Sequence, residues 1–202
     1  MNRKKIFIAV DTNKISRAKK IIRDTQTNKI KIGYKFGLEF FYSKEGRKFI
    51  STLKNQTIFL DLKFNDIPNT VASALKSLKN LKISYLTVHL SSGFSALKIL
   101  KKESKKIKIV GVTTLTSLNN KDLKEIGYNK KVDKLVKHQA KLAQRANLDA
   151  VVCSGHEIRS VKKVFKKEII TPGIKIDNTQ NDQKRIMKPK DAFAAGSDWL
   201  VI

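Results

Sequence analysis

The feature that most constrains the fold is a regular alternation of short β-branched runs with longer amphipathic segments along all 202 residues. Eight runs have the composition and length of strands. These runs are Lys5–Asp11, Lys29–Gly33, Thr57–Lys63, Tyr85–Leu90, Ile107–Thr113, Ala150–Ser154, Ile169–Gly173 and Trp199–Ile202. The segments with helical period are Ile15–Asp24, Lys44–Leu53, Asn69–Leu81, Phe94–Ser104, Val132–Ala146, His156–Phe165 and a shorter one near Ala192–Ala195. Strands alternating with helices predict an α/β fold, a (β/α)₈ TIM barrel, with an open doubly wound sheet as the alternative.

The domain organisation follows from the same pattern. No linker or change of composition divides the chain, so we expect one barrel domain over residues 1–202. The eighth strand has no helical segment after it, whereas a closed barrel ordinarily ends with an eighth helix. We therefore expect this barrel to lack the segment after strand 8 and to be incomplete at its C-terminal end.

Composition limits the classes of partner and compartment. The formal net charge of +26 favours contact with polyanions, but only seven of the 43 basic residues are Arg and no aromatic residues interleave the densest run, 101–109. We therefore expect no specific nucleic-acid partner, although a polycationic nucleic-acid-binding protein stays an alternative. The single Cys indicates a reducing compartment, and no apolar run approaches the length of a membrane span. We expect a cytoplasmic protein without membrane contact.

Charged side chains gather at one end of the predicted strands. Alternation places the aliphatic residues of the first and third strands under the helices and the opposite residues inside the barrel. The inward residues at the carboxyl ends of the first four strands are Asp11, Lys31, Asp61, Lys63 and His89. Barrel enzymes keep their catalytic residues at this end. These five residues are therefore candidate site residues.

Four of the charges have signs that can cancel. Asp61 and Lys63 are two residues apart on one strand, so their side chains point the same way, and Asp66 follows after the strand has ended. With Lys31 on the neighbouring strand they form an alternating row, which reduces the several kcal/mol that burying each ion costs. Such a row is either catalytic or a structural salt-bridge network, and spacing alone leaves both open.

The segment around this row resembles a known family. Asp61, Lys63 and Asp66, followed by Ile-Pro-Asn-Thr at 67–70, are similar to the signature of orotidine 5′-phosphate decarboxylases. Further segments match in the family's order: IAVD at 8–11, IKIG at 30–33, VHL at 88–90, GVTTLTS at 111–117, VVCS at 151–154, ITPGIK at 170–175, DQ at 182–183 and AGSDWLVI at 195–202. The resemblance spans essentially the whole chain and implies a barrel that converts orotidine 5′-phosphate (orotidylate) to uridine 5′-phosphate without a cofactor.

The resemblance also implies roles for individual residues. Lys63 stabilises the charge that develops at C6 and delivers the proton, and Asp61 lies against the departing carboxylate. Lys31 and Asp11 bind the ribose hydroxyls and complete the network. Thr116 meets the pyrimidine edge.

Other implied roles concern the loops, the phosphate and a second chain. Gln183, after the seventh strand, closes over base and phosphate, and Lys175 stands at a substrate-binding position where the family generally has Arg. Asp66 and Thr70 reach into the site of the partner in a homodimer. The family's phosphate-binding Gly-Arg pair follows the position at which this chain ends, so we expect weak decarboxylase activity from these 202 residues.

One alternative enzymatic reaction also remains open. D-x-K-x-x-D is shared with the sugar-phosphate decarboxylases of the same superfamily, which use a divalent metal. His89, His138 and His156 lack the spacing of a metal site, so we expect none, and Cys153 on a predicted buried strand is expected to serve packing.

Overall fold

In the computed structural model, which describes residues 4–175 and 187–202, eight parallel strands pair in chain order and close into a barrel. The strands are β1 (Lys5–Ala9), β2 (Lys31–Phe36), β3 (Ile58–Phe64), β4 (Tyr85–His89), β5 (Lys108–Val112), β6 (Ala150–Val152), β7 (Glu168–Thr171) and β8 (Trp199–Val201). Closure is made by β8 against β1, where the Ile202 N–H donates to the Phe7 carbonyl at 3.0 Å and the Ile202 carbonyl accepts from Ala9 at 2.7 Å. The predicted closed barrel is confirmed, and the open sheet is excluded.

Helices follow the strands and cover the outside of the barrel. They are α1 (Ile15–Asp24), α2 (Leu38–Tyr42), α3 (Gly46–Thr52), α4 (Pro68–Ser77), α5 (Gly93–Glu103), α6 (Asn120–Glu125), α7 (Val132–Arg145), α8 (Ile158–Lys162) and α9 (Pro189–Ala195). One-turn 3₁₀ helices precede α5 at Leu90–Ser92 and α8 at Gly155–Glu157. The longest described helix, α7, has 14 residues, and no described helix is both long and apolar enough to cross a bilayer.

Two short helices were not predicted. In α2, Phe40 and Phe41 are buried although the segment is only five residues long, too short for a helical period to be recognised. At the start of α6, the Asn119 side chain accepts from Lys121 and Asp122 N–H groups, and the Asp122 carboxylate accepts from the Asn119 N–H. This reciprocal cap is visible in the sequence as a polar residue followed three positions later by an acid.

The predicted end of the second strand was wrong. The sequence suggested that Gly33 ends the strand, but β2 continues through it to Phe36. A Cβ atom at Gly33 would lie 2.6 Å from the Phe7 ring, so the glycine is there to make room for an aromatic side chain inside the barrel. Gly33 is therefore a packing residue within the strand and not a turn.

The core has two layers, as the strand alternation predicted. Val10, Ile58 and Leu60 belong to the large cluster between the strands and the helices. A second cluster fills the barrel itself and consists of Phe7, Phe59, Tyr85, Val110, Ala150, Ile170 and Trp199. Within it, the rings of Phe7 and Trp199 stack with centroids 4.0 Å apart. The interior is thus packed below the site, as in other barrels of this type.

An ionic cluster closes the amino-terminal end of the barrel. Glu168 accepts hydrogen bonds from the Tyr85 hydroxyl and from Lys108 Nζ, both at 2.9 Å, and Lys5 Nζ lies 3.4 Å away. Burial and the adjacent Glu168 charge raise the pKa of Tyr85 to about 12. Burial alone raises the pKa of Glu168, but the bonds from Lys108 and Tyr85 and the nearby positive charges together lower it. Hydrogen bonds and ion pairs therefore stabilise this end of the barrel, which is opposite to the end that carries the predicted site.

Candidate active site

A cavity of about 410 Å³ opens at the carboxyl ends of the strands. Its walls come from seven of the eight strands or from the turns that follow them, because parallel strands of a barrel end on one face. The polar and charged lining residues are Asp11, Lys35, Asp61, Lys63, Thr114, Thr116 and Lys175. This cavity lies where the sequence predicted the chemistry.

A row of four charges crosses the cavity. Lys63 Nζ lies 2.8 Å from Asp61 Oδ2, Lys35 Nζ lies 4.0 Å from the same oxygen, and Lys35 Nζ also lies 3.2 Å from Asp11 Oδ1. The Lys35 and Asp61 side chains are 13% and 16% exposed, whereas Asp11 at the rim is 68% exposed. Two ammonium groups and two carboxylates alternate, so the row is neutral and its inner members are shielded from water.

Lys35, and not Lys31, occupies the second position of this row. Lys31 begins β2 at the opposite end of the barrel, where its Nζ lies 5.8 Å from the centre of the Trp199 ring. The prediction for Lys31 was wrong because it assumed that the strand ends at Gly33. Lys31, Gly33 and Lys35 share one face of β2, but Lys35 is about 13 Å further along the strand.

An irregular stretch of β3 carries Asp61 and Lys63. Leu60 pairs with Leu86 and Phe64 pairs with Val88, so three residues of β3 face the single residue Thr87 of β4. Lys63 takes a φ of 48° in this bulge, a conformation that costs a residue with a side chain about 1–3 kcal/mol. Bulges and strained residues concentrate beside active sites because they aim side chains that a regular strand would not.

His89 ends β4 beside the row and is half-buried. Burial and the positive charge of Lys63 lower the pKa of His89, while the charge of Asp61 opposes them. The imidazole is therefore mostly neutral at pH 7 and leaves the row's charge balance unchanged. The sequence had placed His89 among the inward residues at the carboxyl ends, and its position agrees.

Asp66 and Thr70 lie outside the cavity of their own chain. Both are exposed, and the Asp66 carboxylate accepts from the Ile67 N–H at 2.7 Å in the turn before α4. Among described residues none forms an ion pair with Asp66. The row predicted as Lys31, Asp61, Lys63 and Asp66 is therefore corrected to Asp11, Lys35, Asp61 and Lys63 within one chain.

The remaining predicted residues belong to the loops. Thr116 and Lys175 line the cavity, after β5 and β7 respectively. The first of these loops is tied to α7, since Gln139 accepts from the backbone and hydroxyl of Thr114 at 2.8 and 3.2 Å. Gln183 lies outside the described residues. Cys153 is buried against the cavity, and over residues 4–175 and 187–202 no three acidic, His or Cys side chains form a cluster that could hold a metal ion.

Sequence and structure comparisons place these observations among known proteins. The chain matches the Orotidine 5'-phosphate decarboxylase / HUMPS family over residues 4–202. Similar proteins include the orotidine 5'-phosphate decarboxylases of Wolbachia pipientis subsp. Culex pipiens, 41% identical over 204 residues, and of Ehrlichia canis, 40% identical over 206 residues. Each of these alignments covers 98% of this chain and 88% of the relative.

Solved structures show the same architecture. The orotidine 5'-phosphate decarboxylase from Lactobacillus acidophilus has a TM-score of 0.84 at 29% identity, covering 99% of this chain and 89% of that one. The orotidine 5'-monophosphate decarboxylase from Methanocaldococcus jannaschii, solved with the inhibitor BMP, has a TM-score of 0.78 at 20% identity, covering 100% and 89%. The second likeness shows that the barrel is shared at low sequence identity.

Proposed function

The chain belongs to the Orotidine 5'-phosphate decarboxylase / HUMPS family, and we propose that it converts orotidylate to uridine 5′-phosphate and CO₂ in de novo pyrimidine biosynthesis. The observation that carries this proposal is the neutral, alternating row of Asp11, Lys35, Asp61 and Lys63 inside the cavity. Loss of CO₂ from C6 leaves a carbanion without an adjacent carbonyl that could act as an electron sink. Such a reaction depends on charges fixed in place before the bond breaks.

Lys63 is the residue proposed to act on the reacting carbon. As the C6–CO₂ bond breaks, its electron pair stays on C6, where the Lys63 ammonium stabilises it and then donates the proton that completes the product. Lys63 Nζ donates a hydrogen bond to Asp61 Oδ2 at 2.8 Å, and this charge-assisted bond holds the ammonium group in place inside the cavity. A proton donor must be held within hydrogen-bond reach of the atom that it protonates.

The rest of the row orients Lys63 and holds the ribose. Asp61 lies against the substrate carboxylate, and their repulsion is relieved when CO₂ leaves. Lys35 takes the place first given to Lys31, because it contacts both Asp61 and Asp11. Asp11 and Lys35 at the rim are proposed to bind the ribose hydroxyls, since Asp11 is accessible from the cavity mouth.

The loops after β5 and β7 are proposed to hold the base and the phosphate. Thr116 faces the pyrimidine edge, and Lys175 provides a cation at the end where barrels of this type commonly bind phosphate. A Lys at this position contributes a point charge and not the planar fork of an Arg. Gln183 is proposed to close over base and phosphate.

The working unit is proposed to be a cytoplasmic homodimer with sites shared between subunits. Asp66 and Thr70 do not line the cavity of their own chain, and the adjacent Ile67 is 66% exposed. An interface over this turn would cover Ile67 and carry Asp66 and Thr70 toward the partner's Lys63.

A direct assay tests the function and its alternatives. Orotidylate is incubated with the protein, and the loss of its ultraviolet absorbance is followed together with CO₂ release, with and without EDTA. Turnover that survives EDTA supports the proposal. Metal-dependent turnover of a keto-sugar phosphate instead would favour the sugar-phosphate decarboxylases, and salt-sensitive retention on DNA without turnover would favour the polycationic binder.

A further inference from the structure

Thr87 lies at the centre of β4, directly opposite the irregular stretch of β3, and is fully buried. Its Oγ1 atom is 2.7 Å from the backbone nitrogen of Lys63 and 3.1 Å from Oδ1 of Asp61. One hydroxyl therefore touches both residues of the Asp61–Lys63 ion pair. It does so from outside the cavity, since Thr87 is not among the lining residues.

The direction of both hydrogen bonds is fixed by chemistry. A backbone N–H can only donate, so the Thr87 oxygen accepts from Lys63, and an ionised carboxylate can only accept, so the single hydroxyl proton points to Asp61. The single hydroxyl group of Thr87 makes both bonds at the same time. A methyl group or a hydrogen in place of the hydroxyl cannot replace either of them.

The Thr87 hydroxyl also provides the hydrogen-bond acceptor that the Lys63 N–H lacks because of the bulge. Lys63 has left the regular strand pairing, because three residues of β3 face one residue of β4. Its N–H is consequently bonded to a side chain in place of a strand carbonyl, and its φ of 48° is a conformation that needs external support. The second oxygen of Asp61, Oδ2, is left to bind Lys63 Nζ at 2.8 Å.

We propose that Thr87 is a positioning residue that fixes the Asp61–Lys63 pair by bonding to the backbone of one member and the carboxylate of the other. The proposal rests on the proposed function, because it assumes that this pair acts on the substrate. Thr87 does not touch the substrate. Its loss should therefore lower kcat, through misplacement of the ammonium and the carboxylate, more than it changes KM.

The experiment compares variants that differ only in the hydroxyl. Thr87→Val keeps the branched shape and removes the hydroxyl, whereas Thr87→Ser keeps the hydroxyl and removes a methyl group. We expect kcat to fall about 10–100-fold in Thr87→Val, with KM within about threefold of the unchanged protein. We expect Thr87→Ser to keep kcat within about threefold.

Folding is controlled by a second matched pair. Melting temperatures are measured for all variants, and kinetics are recorded well below each transition. If Thr87→Val does not fold, Thr87→Ser and Thr87→Ala give the same comparison, with and without the hydroxyl, in a smaller side chain. A hydroxyl-free variant with unchanged kcat, or a serine variant as impaired as its hydroxyl-free partner, overturns the proposal.

The unchanged protein and Lys63→Ala separate this inference from the function on which it rests. If the unchanged protein does not turn over orotidylate, the proposed function fails and the role of Thr87 in it fails too. If the unchanged protein is active, Lys63→Ala is inactive and the hydroxyl-free variants retain full kcat, the function stands and only the role of Thr87 is overturned. A selective loss of kcat that serine restores supports both.

Discussion

Lys63 Nζ lies 2.8 Å from Asp61 Oδ2 while the Lys63 backbone is held at a φ of 48°. In a regular strand, side chains two residues apart point the same way and are spaced about 6.6 Å along the strand, and the backbone carries no such strain. The strained backbone at Lys63 therefore lowers the stability of the fold while it places the ammonium group beside the Asp61 carboxylate. Strain of this kind persists only where surrounding bonds, here those of Thr87, hold the conformation.

Replacing Lys63 by Ala should abolish turnover while leaving product binding nearly intact. The ammonium is proposed both to stabilise the carbanion and to donate the proton, so we expect kcat to fall by about 10³-fold or more. The dissociation constant for uridine 5′-phosphate should change by less than about tenfold. Steady-state kinetics and calorimetric titration measure the two quantities.

Lys79→Ala is the matched control for this prediction. Lys79 is exposed after α4 and lies outside the cavity, so its removal costs one positive charge without touching the row. Near-normal kcat in Lys63→Ala, or an equal loss in both variants, would contradict the assignment of Lys63.

Substitution should impair catalysis at only one of the two lysines of β2, Lys35 and not Lys31. Lys35→Ala leaves Asp61 and Asp11 without a shared cation, and charge-assisted bonds are worth about 1.5–3 kcal/mol each, so kcat/KM should fall about 10–100-fold. Lys31→Ala removes a cation over Trp199 at the far end of the barrel and should leave kcat/KM within about twofold. Kinetics of the two variants side by side decide the matter, since equal effects would contradict the position of Lys35 in the row.

The sequence predicted the barrel and three of the four charges, and the reason for the remaining error is local. Periodicity identifies which face a residue is on, so Asp11, Asp61 and Lys63 were correctly placed on the inward face at the strand ends. Gly33 was taken as a strand end, because the space that it leaves for the Phe7 ring depends on a residue 26 positions away. Lys35 was therefore missed, although it has the same parity as Lys31.

The sequence contains part of the information that places Thr87, but it contains no sign of the bulge in β3. Tyr85, Thr87 and His89 are spaced two residues apart on β4 and therefore share one face of the strand. If His89 points inward, Thr87 must point inward too. The shift in pairing between β3 and β4 depends on contacts between strands, which a single sequence does not display. The positions of Asp66 and Thr70 outside their own cavity follow from the turn before α4, where the chain leaves the barrel.

Glu168→Gln should destabilise the protein at neutral pH and have little effect in acid. Bonds from Lys108 and Tyr85 lower the pKa of Glu168 below 4.5 despite its burial, so its stabilising contribution is present above about pH 4.5 and is lost as the pH falls through the lowered pKa. We expect the free energy of unfolding to fall by about 1–2 kcal/mol at about pH 7, since Lys108 is partly exposed and its contribution is screened.

Urea unfolding at several pH values measures this effect. The difference between the unchanged protein and Glu168→Gln should shrink as the pH falls from about 5 to about 3. Glu125→Gln is the control, because Glu125 on α6 is 62% exposed and faces Lys121 at 4.0 Å. A difference that stays constant with pH would show that Glu168 acts through packing and not through its charge.

Mixing two inactive variants should restore activity if the sites are shared. A site is proposed to need Lys63 from one subunit and Asp66 from the other. Lys63→Ala and Asp66→Ala dimers are therefore both expected to be inactive, whereas a hybrid of the two has one site with both residues intact. Random assortment of equal amounts gives intact sites at about a quarter of the number found in the unchanged protein.

The two variants are first mixed, subunit exchange is then verified by native mass spectrometry, and orotidylate turnover is measured over time. Two variants of the same cavity, Lys63→Ala and Lys35→Ala, provide the control: each hybrid site then carries one of the two lesions, so turnover should not rise above that of Lys35→Ala alone. Equal recovery in both mixtures, or none in the first, would place Asp66 outside the partner's site.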